Sequence, residues 1–260
     1  MNESSVTYHS VHAYDGLAAL DAVAFNNQFA PHFHDTFQLT WNRTGIFENQ
    51  INNRSLRFWP DSIAVSHPGE VHQTICQQTQ GNSFFTVYLP PTLFDQDVET
   101  GHMSLAHSII DKDLLWLLMN LRKIMLAGQI PQHGLIEQLV QILQIRHGCR
   151  HTKPTEHSLL VDYAQNYFLE PFDLSKWSNH MGMDKYKVIR LFKSETGMTP
   201  NQYVIHSRVQ HSLTALKAGQ SIIEAALGSG FFDTAHYYKN FKKIMGMTPK
   251  KYQQAFIQSY

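Results

Sequence analysis

The sequence predicts an α+β chain of two domains. Residues 1–150 read as a small β-sandwich or barrel carrying a helical hairpin, and residues 155–260 as an all-α domain of two helix-turn-helix units. Three observations lead there. Short β-branched and aromatic segments alternate with turn residues from about Asp21 to Pro90. The apolar period becomes helical between about Asp111 and Ile145. In the last hundred residues, seven positions recur at a constant offset of 49.

Phe37–Trp41, Ser62–Ser66 and Ser83–Leu89 carry the strand composition, and Asn52-Asn53, Trp59-Pro60-Asp61, Pro68-Gly69 and Gly81-Asn82 punctuate them. Regular spacing of this kind suits a small closed or two-layered β unit. Leu114, Leu115, Leu117, Leu118, Leu121, Ile124 and Met125 then recur at helical spacing. Gly128 to Pro131 interrupts them, and Ile136, Leu139, Val140, Leu143 and Ile145 continue. The pattern predicts a helical hairpin packed on the β unit, whose outer side suits either a homodimer contact or core packing. His147 to Pro154 reads as a polar linker.

A chain of 260 residues can bury two cores. No apolar run approaches the roughly 18 residues of a membrane span, and the first residues lack the basic-then-apolar pattern of a secretory signal. Cys76 and Cys149 show no metal-type spacing, so a reduced cytoplasmic location is expected. The net charge of zero hides an asymmetry. Residues 1–154 hold 9 Lys/Arg against 13 Asp/Glu, and residues 155–260 hold 12 against 8. A basic half suits a polyanion, since each cation that meets a phosphate releases condensed counterions.

The repeat aligns Phe192-Lys193, Gly197-Met198-Thr199-Pro200 and Tyr203 with Phe241-Lys242, Gly246-Met247-Thr248-Pro249 and Tyr252. Each copy has the outline of a helix-turn-helix. Leu174–Met181 forms a short helix with Trp177 and Met181 inward. Gly182 makes the turn, Asp184 caps, and a second helix runs from Lys185 to about Thr196 with Val188, Leu191 and Phe192 inward. In the second copy Ser221 caps Ile222–Ser229, Gly230 turns, Asp233 caps, and the next helix reaches about Met245 with Tyr237 and Phe241 inward. Ser178 and Ala226 are small where helices approach closely.

The outward faces carry the chemistry. The first presents Lys185, Tyr186, Lys187, Ile189, Arg190 and Lys193. The second presents Thr234, Ala235, His236, Tyr238, Lys239, Lys242 and Lys243. Arginine pairs with guanine edges through two hydrogen bonds, and apolar or aromatic groups meet thymine methyls. Flanking lysines suit phosphates, which position without specifying. One such face also suits plain solvation; two, each after a glycine turn and an aspartate cap, point to duplex DNA.

These residues resemble the AraC/XylS family of bacterial regulators. Gly182 to Tyr203 is similar to the family's first motif, and Ser221 to Tyr252 to its second, more diagnostic one. The resemblance implies a helix over roughly Asn201–Lys217 that joins the units, about 25 Å long at about 1.5 Å per residue. Two reading helices would then enter successive major-groove segments. It implies base contacts by Tyr186, Ile189 and Arg190, and by Thr234, Ala235, His236, Tyr238 and Lys239, with Lys185 and Lys187 on the same surface. Lys239 stands where the family usually has arginine. Ser229 stands where an apolar residue is usual, which predicts a less firmly packed helix. RNA polymerase is an implied partner.

The N-terminal half resembles the cupin-like sensor domain of that family, and so a β-barrel. Pro31-His32-Phe33-His34, Gln38, Gly45 and His67-Pro-Gly-Glu-Val-His72 are similar to the cupin pattern, in which His-x-His, a glutamate and a later histidine hold a metal. Here Gln38 replaces the glutamate, and a neutral amide is a poorer ligand for a hard divalent ion. His32, His34 and His72 can still hold zinc or iron(II), but sensor domains of this type often keep the histidines without metal, so no cofactor is expected. Resemblance to the sugar-responsive members puts Thr40, Arg54, Thr74 and Phe84 with His32, His34, Gln38 and His72 in an effector pocket. The residues before Asp21 suit an arm over it.

The expected function is therefore a sequence-specific DNA-binding transcription regulator, an activator controlled by a small molecule in the barrel, and not an enzyme. Two alternatives stay open: a metal-dependent cupin enzyme fused to a DNA-binding module, and a ligand-independent regulator whose N-terminal half only dimerises.

Overall fold

A computed structural model of the chain describes residues 5–10, 17–26, 29–51, 54–76, 78, 80–94, 102–151 and 159–257. Eleven strands are described: β1 (Ser5–Ser10), β2 (Ala18–Phe25), β3 (Phe37–Thr44), β4 (Phe47–Ile51), β5 (Arg54–Phe58), β6 (Ile63–Ser66), β7 (His72–Cys76), β8 (Asn82–Leu89), β9 (His102–Leu105), β10 (Ser108–Ile109) and β11 (Gly148–His151). They form a six-stranded antiparallel sheet in the order β1-β2-β8-β3-β6-β10, a three-stranded sheet β5-β4-β7 and a β11-β9 pair.

Strand alternation gives the large sheet two faces. Leu39, Trp41, Ile63, Val65, Phe85, Val87 and Leu89 point to one core. There they meet Leu114, Leu117, Leu118 and Leu121 of α1 (Lys112–Leu126) and Ile136, Leu139 and Val140 of α2 (His133–Ile142). The predicted hairpin is thus present, and Asp111 caps α1 by accepting from the backbone of Asp113 and Leu114. Arg122 of α1 grips buried Asp21 with two hydrogen bonds of 2.7 and 3.0 Å, and Arg43 adds a third of 2.7 Å. Only Ile145 departs from the expected face; it is exposed, in a wide turn that follows α2.

The other face of the large sheet lines a cavity. Thr40 and Thr86 are paired in register and share a hydrogen bond of 2.9 Å there. The three-stranded sheet covers this side. A two-hydrogen-bond bridge between His32 and His72, 2.9 and 2.8 Å, ties the segment ahead of β3 to β7. The expected linker at 147–154 is corrected in its first part: Gly148–His151 forms β11 against β9, because the ladder satisfies its backbone groups. Residues 152–154 lie outside the described residues.

The C-terminal half contains α3 (Leu159–Tyr167), α4 (Leu174–His180), α5 (Lys185–Thr196), α6 (Pro200–Lys217), α7 (Ile222–Gly228), α8 (Thr234–Met245) and α9 (Pro249–Ile257). Both units have the expected outline. Asp184 and Asp233 accept hydrogen bonds from the backbone of Lys187 and His236, so each reading helix starts where its cap predicts. Each unit has its own core, one around Trp177, Val188 and Phe192, the other around Ala226, Tyr237 and Phe241. The implied joining helix is α6. Its first half, through Tyr203 and Val204, belongs to the first core, and its second half, through Val209 and Leu216, to the second.

Gly230 shows why the second turn requires glycine. Its φ is +81°, and a Cβ there would sit 2.9 Å from the Leu169 carbonyl oxygen. Arg208 fills the same corner, donating to the carbonyls of Phe168 and Glu170 at 2.7 and 2.6 Å. Ser229 corrects an expectation: it is buried, and its Oγ lies 3.3 Å from His211 Nδ1, so the polar residue is partnered and the end of α7 is firmly packed.

Candidate functional site

The two reading faces come from the caps and turns just described. On α5, Lys185, Tyr186, Lys187 and Arg190 are exposed, and Ile189 is half-buried. Tyr186 is 85% exposed, which leaves its whole ring free for a partner surface. On α8, Ala235, His236 and Lys239 are exposed, while Thr234 and Tyr238 are half-buried, Tyr238 against the second core. Tyr186, Lys187, Arg190, Ala235, His236 and Lys239 lie on the sides of α5 and α8 away from Val188, Phe192, Tyr237 and Phe241, Ile189 and Tyr238 flank those buried residues, and Lys185 and Thr234 begin the stripes that carry them. One neighbour escaped the sequence reading. Phe232, just ahead of the Asp233 cap, is 94% exposed beside this face. Its signal was a large apolar residue in a turn position.

The β domain's cavity is lined by His32, His34, Gln38, Thr40, Thr74 and Phe84, all expected there. Tyr8, Leu20, Phe29, Thr86 and Tyr88 also line it, and Ile244 and Met245 of α8 close it. Its free space is about 20 Å³, enough for a water-sized group. His72 stands beside it, its ring 4.3 Å from that of His32 and 5.5 Å from that of His34. Arg54 is a correction. It sits at the start of the edge strand β5, exposed, and lines a second cleft of about 320 Å³ together with His72, which is not part of the first cavity's lining, and with Gln50, Gln73, Thr196 and Gly197. It is in register with Ile51 and, through it, with His72, so it shares their face of the three-stranded sheet but stands on its outermost strand.

The N-terminal arm is partly described. Strand β1 extends the large sheet, and Tyr8 stacks on Tyr88 at 5.6 Å while touching Tyr252 of α9 at 5.4 Å. Burial pushes both the Tyr8 and Tyr88 phenols up.

His32, His34 and His72 offer ligand nitrogens that all lie within 4.8 Å of one another. Nδ1 of His32 donates to the Ala30 carbonyl at 2.8 Å, and Nδ1 of His72 to the Glu70 carbonyl at 3.0 Å. That leaves each Nε2 as a lone-pair donor, as metal-ligating histidines require. Nε2 of His34 and His72 and Oε1 of Gln38 are buried without a hydrogen-bond partner among the described residues. Burial lowers all three imidazole pKa values, with neighbouring histidines adding to the fall at His32 and His34, so the rings are neutral near pH 7. These residues fit a borderline-soft divalent ion.

A second cluster, His67, Glu70 and His107, is built differently. Glu70 accepts from both rings, at 3.2 and 2.8 Å, and His67 Nε2 accepts from the Leu105 backbone at 2.8 Å. Burial works against the Glu70 carboxylate, but the His107 and His67 hydrogen bonds outweigh it and hold its pKa down to about 2. Its donors are already spent on one another.

The cavity wall is also the junction between the halves. His32 and His34 face inward, so Phe33 between them faces outward. Its ring stacks on Tyr203 at 4.8 Å and meets His206 of α6 at 4.2 Å, and its backbone N–H donates to His206 Nε2 at 3.2 Å. Val71, next to His72, packs on the same first-unit core. On the second unit, Gly246 ends α8 at φ +73°, and a Cβ there would lie 3.2 Å from Phe29. His206 was missed because a lone histidine on a helix carries no pattern of its own.

Known proteins resemble this chain in both halves. Residues 16–144 match the family model of the AraC-like ligand binding domain, and residues 177–255 match a helix-turn-helix domain model. The chain is 25% identical over 226 residues to YbfI, an HTH-type transcriptional regulator of Bacillus subtilis, covering 80% of this chain and 81% of that one. Its fold is similar to that of an apo ToxT variant from Vibrio cholerae, with a TM-score of 0.58 and 11% identity, covering 98% of both chains. ToxT with an unsaturated fatty acid bound aligns over the same shares, with a TM-score of 0.53 and 11% identity.

Proposed function

Since the chain is a transcriptional regulator of the AraC/XylS family, with an AraC-like ligand-binding domain ahead of a helix-turn-helix DNA-binding domain, we propose that the faces of α5 and α8 read one specific duplex site and that a ligand in the β-domain cavity sets how they are presented. The observation that carries this is the closure of the cavity by Ile244 and Met245, which end the helix whose outer face starts with Thr234, Ala235 and His236. A ligand that pushes on those two side chains acts on a reading helix without an intermediary. Coupling needs only that the ligand bind one arrangement better than the other.

In this reading the functional domains are 1–150 and 155–260. Arg190 pairs with a guanine edge, and Tyr186, Ile189, Thr234, Ala235, His236, Tyr238 and Lys239 meet bases. Lys185 and Lys187 hold phosphates. Thr40, Thr74, Phe84, Gln38 and the histidines face the ligand. The cavity is a binding site and no reaction is assigned to it, in keeping with the regulatory relatives. The fatty acid held by ToxT supports control by a small molecule in this architecture. On the far side of the hairpin, Trp116 and Met119 are exposed one helical turn apart and Ile130 follows, which supports a homodimer contact there. Activation by contact with RNA polymerase completes the proposal.

Selection of genomic fragments by the full-length protein tests it. The expected result is a small set of sites with a shared sequence two major-groove segments long. Uniform retention of all fragments, with only a salt-dependent slope, would overturn sequence-specific reading.

A further inference from the structure

We propose that Phe232, in the turn ahead of α8, is a specificity residue of the second unit and packs its ring on the C5-methyl of one thymine in the major groove. This rests on the reading of α5 and α8 as the helices that enter DNA, and it adds a contact that their outward stripes do not contain.

Comparison of the two units isolates the residue. The position just ahead of a helix cap commonly packs on the fourth helical residue, a hydrophobic staple that fixes how the chain enters the helix. In the first unit the cap is Asp184, the residue ahead of it is Met183 and the fourth helical residue is Val188. Met183 is half-buried against the same core as Val188. In the second unit the cap is Asp233 and the fourth helical residue is the fully buried Tyr237, so Phe232 holds the place of Met183. Here the residue before it takes over the packing. Phe231 is 3% exposed, with its ring 5.1 Å from that of Tyr237 and 5.6 Å from that of His236. Phe232 is left 94% exposed. Its ring has no part in closing the turn, and an apolar ring held in water gains nothing until a partner covers it.

Place and chemistry choose the partner. A recognition helix brings its N-terminal residues to the base edges. Ala235 and His236, the second and third residues of α8, are exposed there, and Phe232 stands three positions ahead of Ala235, across the cap. The Ala235 side chain is a single methyl, which leaves room beside it for a larger group. A phenyl ring has no donor for a phosphate oxygen, and its negative face is repelled by one. Among the base edges of the major groove the thymine methyl is the apolar group, and phenylalanine is a side chain that can meet it.

The test uses full-length protein and a duplex of the genomic site that it selects. Each thymine of the site is replaced in turn by deoxyuridine, which removes the methyl and leaves every hydrogen-bonding group of the base. One thymine is expected to respond to Phe232, in the half of the site where Lys239→Ala acts. There the replacement should weaken the parent about fourfold, the equivalent of one methyl no longer buried. Phe232→Ala should bind the thymine duplex at least that much more weakly, and on the deoxyuridine duplex it should match the parent within about twofold, as two changes to one contact do. Phe232→Leu should keep most of the discrimination. The salt slope should stay that of the parent, since no charge is lost. The melting temperature of Phe232→Ala should also be unchanged, because the ring supports no packing. Met183→Ala should do the reverse, lowering the melting temperature with no coupling to any thymine methyl.

Equal binding of parent and Phe232→Ala to every duplex would overturn the contact. So would a loss in Phe232→Ala that is the same on thymine and deoxyuridine duplexes. Intact DNA binding with transcription lost in a reaction containing RNA polymerase would give Phe232 to a protein partner instead, and would also overturn it. Absence of sequence-specific binding by the parent would overturn the reading on which the inference rests; specific binding without a Phe232-coupled methyl would leave that reading standing and sink the inference alone.

Discussion

The first helix-turn-helix unit meets the β domain through aromatic stacking on the outer side of the histidine segment, at Phe33, Tyr203 and His206. The second unit supplies part of the cavity wall, with Ile244 and Met245, and is clasped by Tyr8 of the N-terminal strand through Tyr252. The two units are near copies, down to the glycine that ends each reading helix at φ +73°. Repetition of sequence has thus produced two units with the same caps and the same aromatic core positions, but docking has given them different access to the cavity. What enters the cavity touches the second unit directly. What changes the histidine segment is felt first by the first unit and by α6. The reading faces differ in the same sense. The first holds Arg190, with its fixed fork of donors, and the second holds Lys239, a point charge that suits phosphate or a single base acceptor.

The largest expected effect tests whether the units are separate folding cores. Phe241→Ala should cost about 3–5 kcal/mol, as deletion of a fully buried aromatic does. Phe192→Ala, its counterpart 49 residues earlier, should cost a similar amount. Urea unfolding followed by Trp177 fluorescence should report the Phe192 change strongly and the Phe241 change weakly, since Trp177 packs in the first core. Equal reporting of both would merge the units into one cooperative block.

Next in size is the asymmetry of reading. Arg190→Ala should lose about 1–3 kcal/mol of specific affinity and relax the preference at one base pair. Lys187→Ala should weaken all sequences alike and lower the salt slope by about 1. Lys239→Ala should also relax the preference at one base pair, by less than Arg190→Ala because a point charge lacks the bidentate fork; a loss uniform across sequences would move Lys239 to the phosphates.

Smaller again is the docking term. Removing the Phe33 ring takes away one stacked and one tilted ring contact, each worth roughly 0.5–1.5 kcal/mol beyond the buried area. Phe33→Leu should therefore loosen the first unit and leave the Tyr8–Tyr252 contact in place. Hydrogen exchange in α6 measures this: faster exchange near Tyr203 with unchanged rates near Leu216 is the expected pattern. Loosening of both ends would mean that the two docking sites act as one.

The smallest effect lies away from the junction. Asp111 is opposed by partial desolvation, but the Leu114 backbone, His147, Arg146 and the Asp113 backbone hold its carboxyl down to about 2. Because its folded pKa is depressed, its contribution to stability is fully present above the unfolded carboxyl range near about 3.9. That contribution is lost as pH falls toward 2. Asp111→Asn should flatten the acid limb of the melting-temperature profile between those values. No change in that limb would remove Asp111 from the hairpin's stability.

Much of the fold was legible because its signals are local. Aspartate ahead of a helical stripe, glycine at a turn and apolar residues at a helical period are dictated by backbone geometry within a few residues. So α5 and α8 start at Lys185 and Thr234 as their caps require. The exceptions also have local causes. Ser229 reads as a packing defect until His211, 18 residues away, is seen beside it. His147 to Pro154 reads as a linker because the partner strand at His102–Leu105 has no pattern that announces it.

By itself, then, the sequence determined the two-domain α+β plan, the repeat with its capped and turned helices, and the residue types exposed on α5 and α8 and lining the cavity. Each of these depends on neighbours along the chain or on a period of two or 3.6 residues. Only the tertiary structure decided that Arg54 leaves the cavity for another cleft, that Ile244 and Met245 close it, and that His206 joins its histidine wall. Those are contacts between residues far apart in the chain, 173 positions for Phe33 and His206. They arise from the angle at which two separately cored halves dock, which no local propensity encodes.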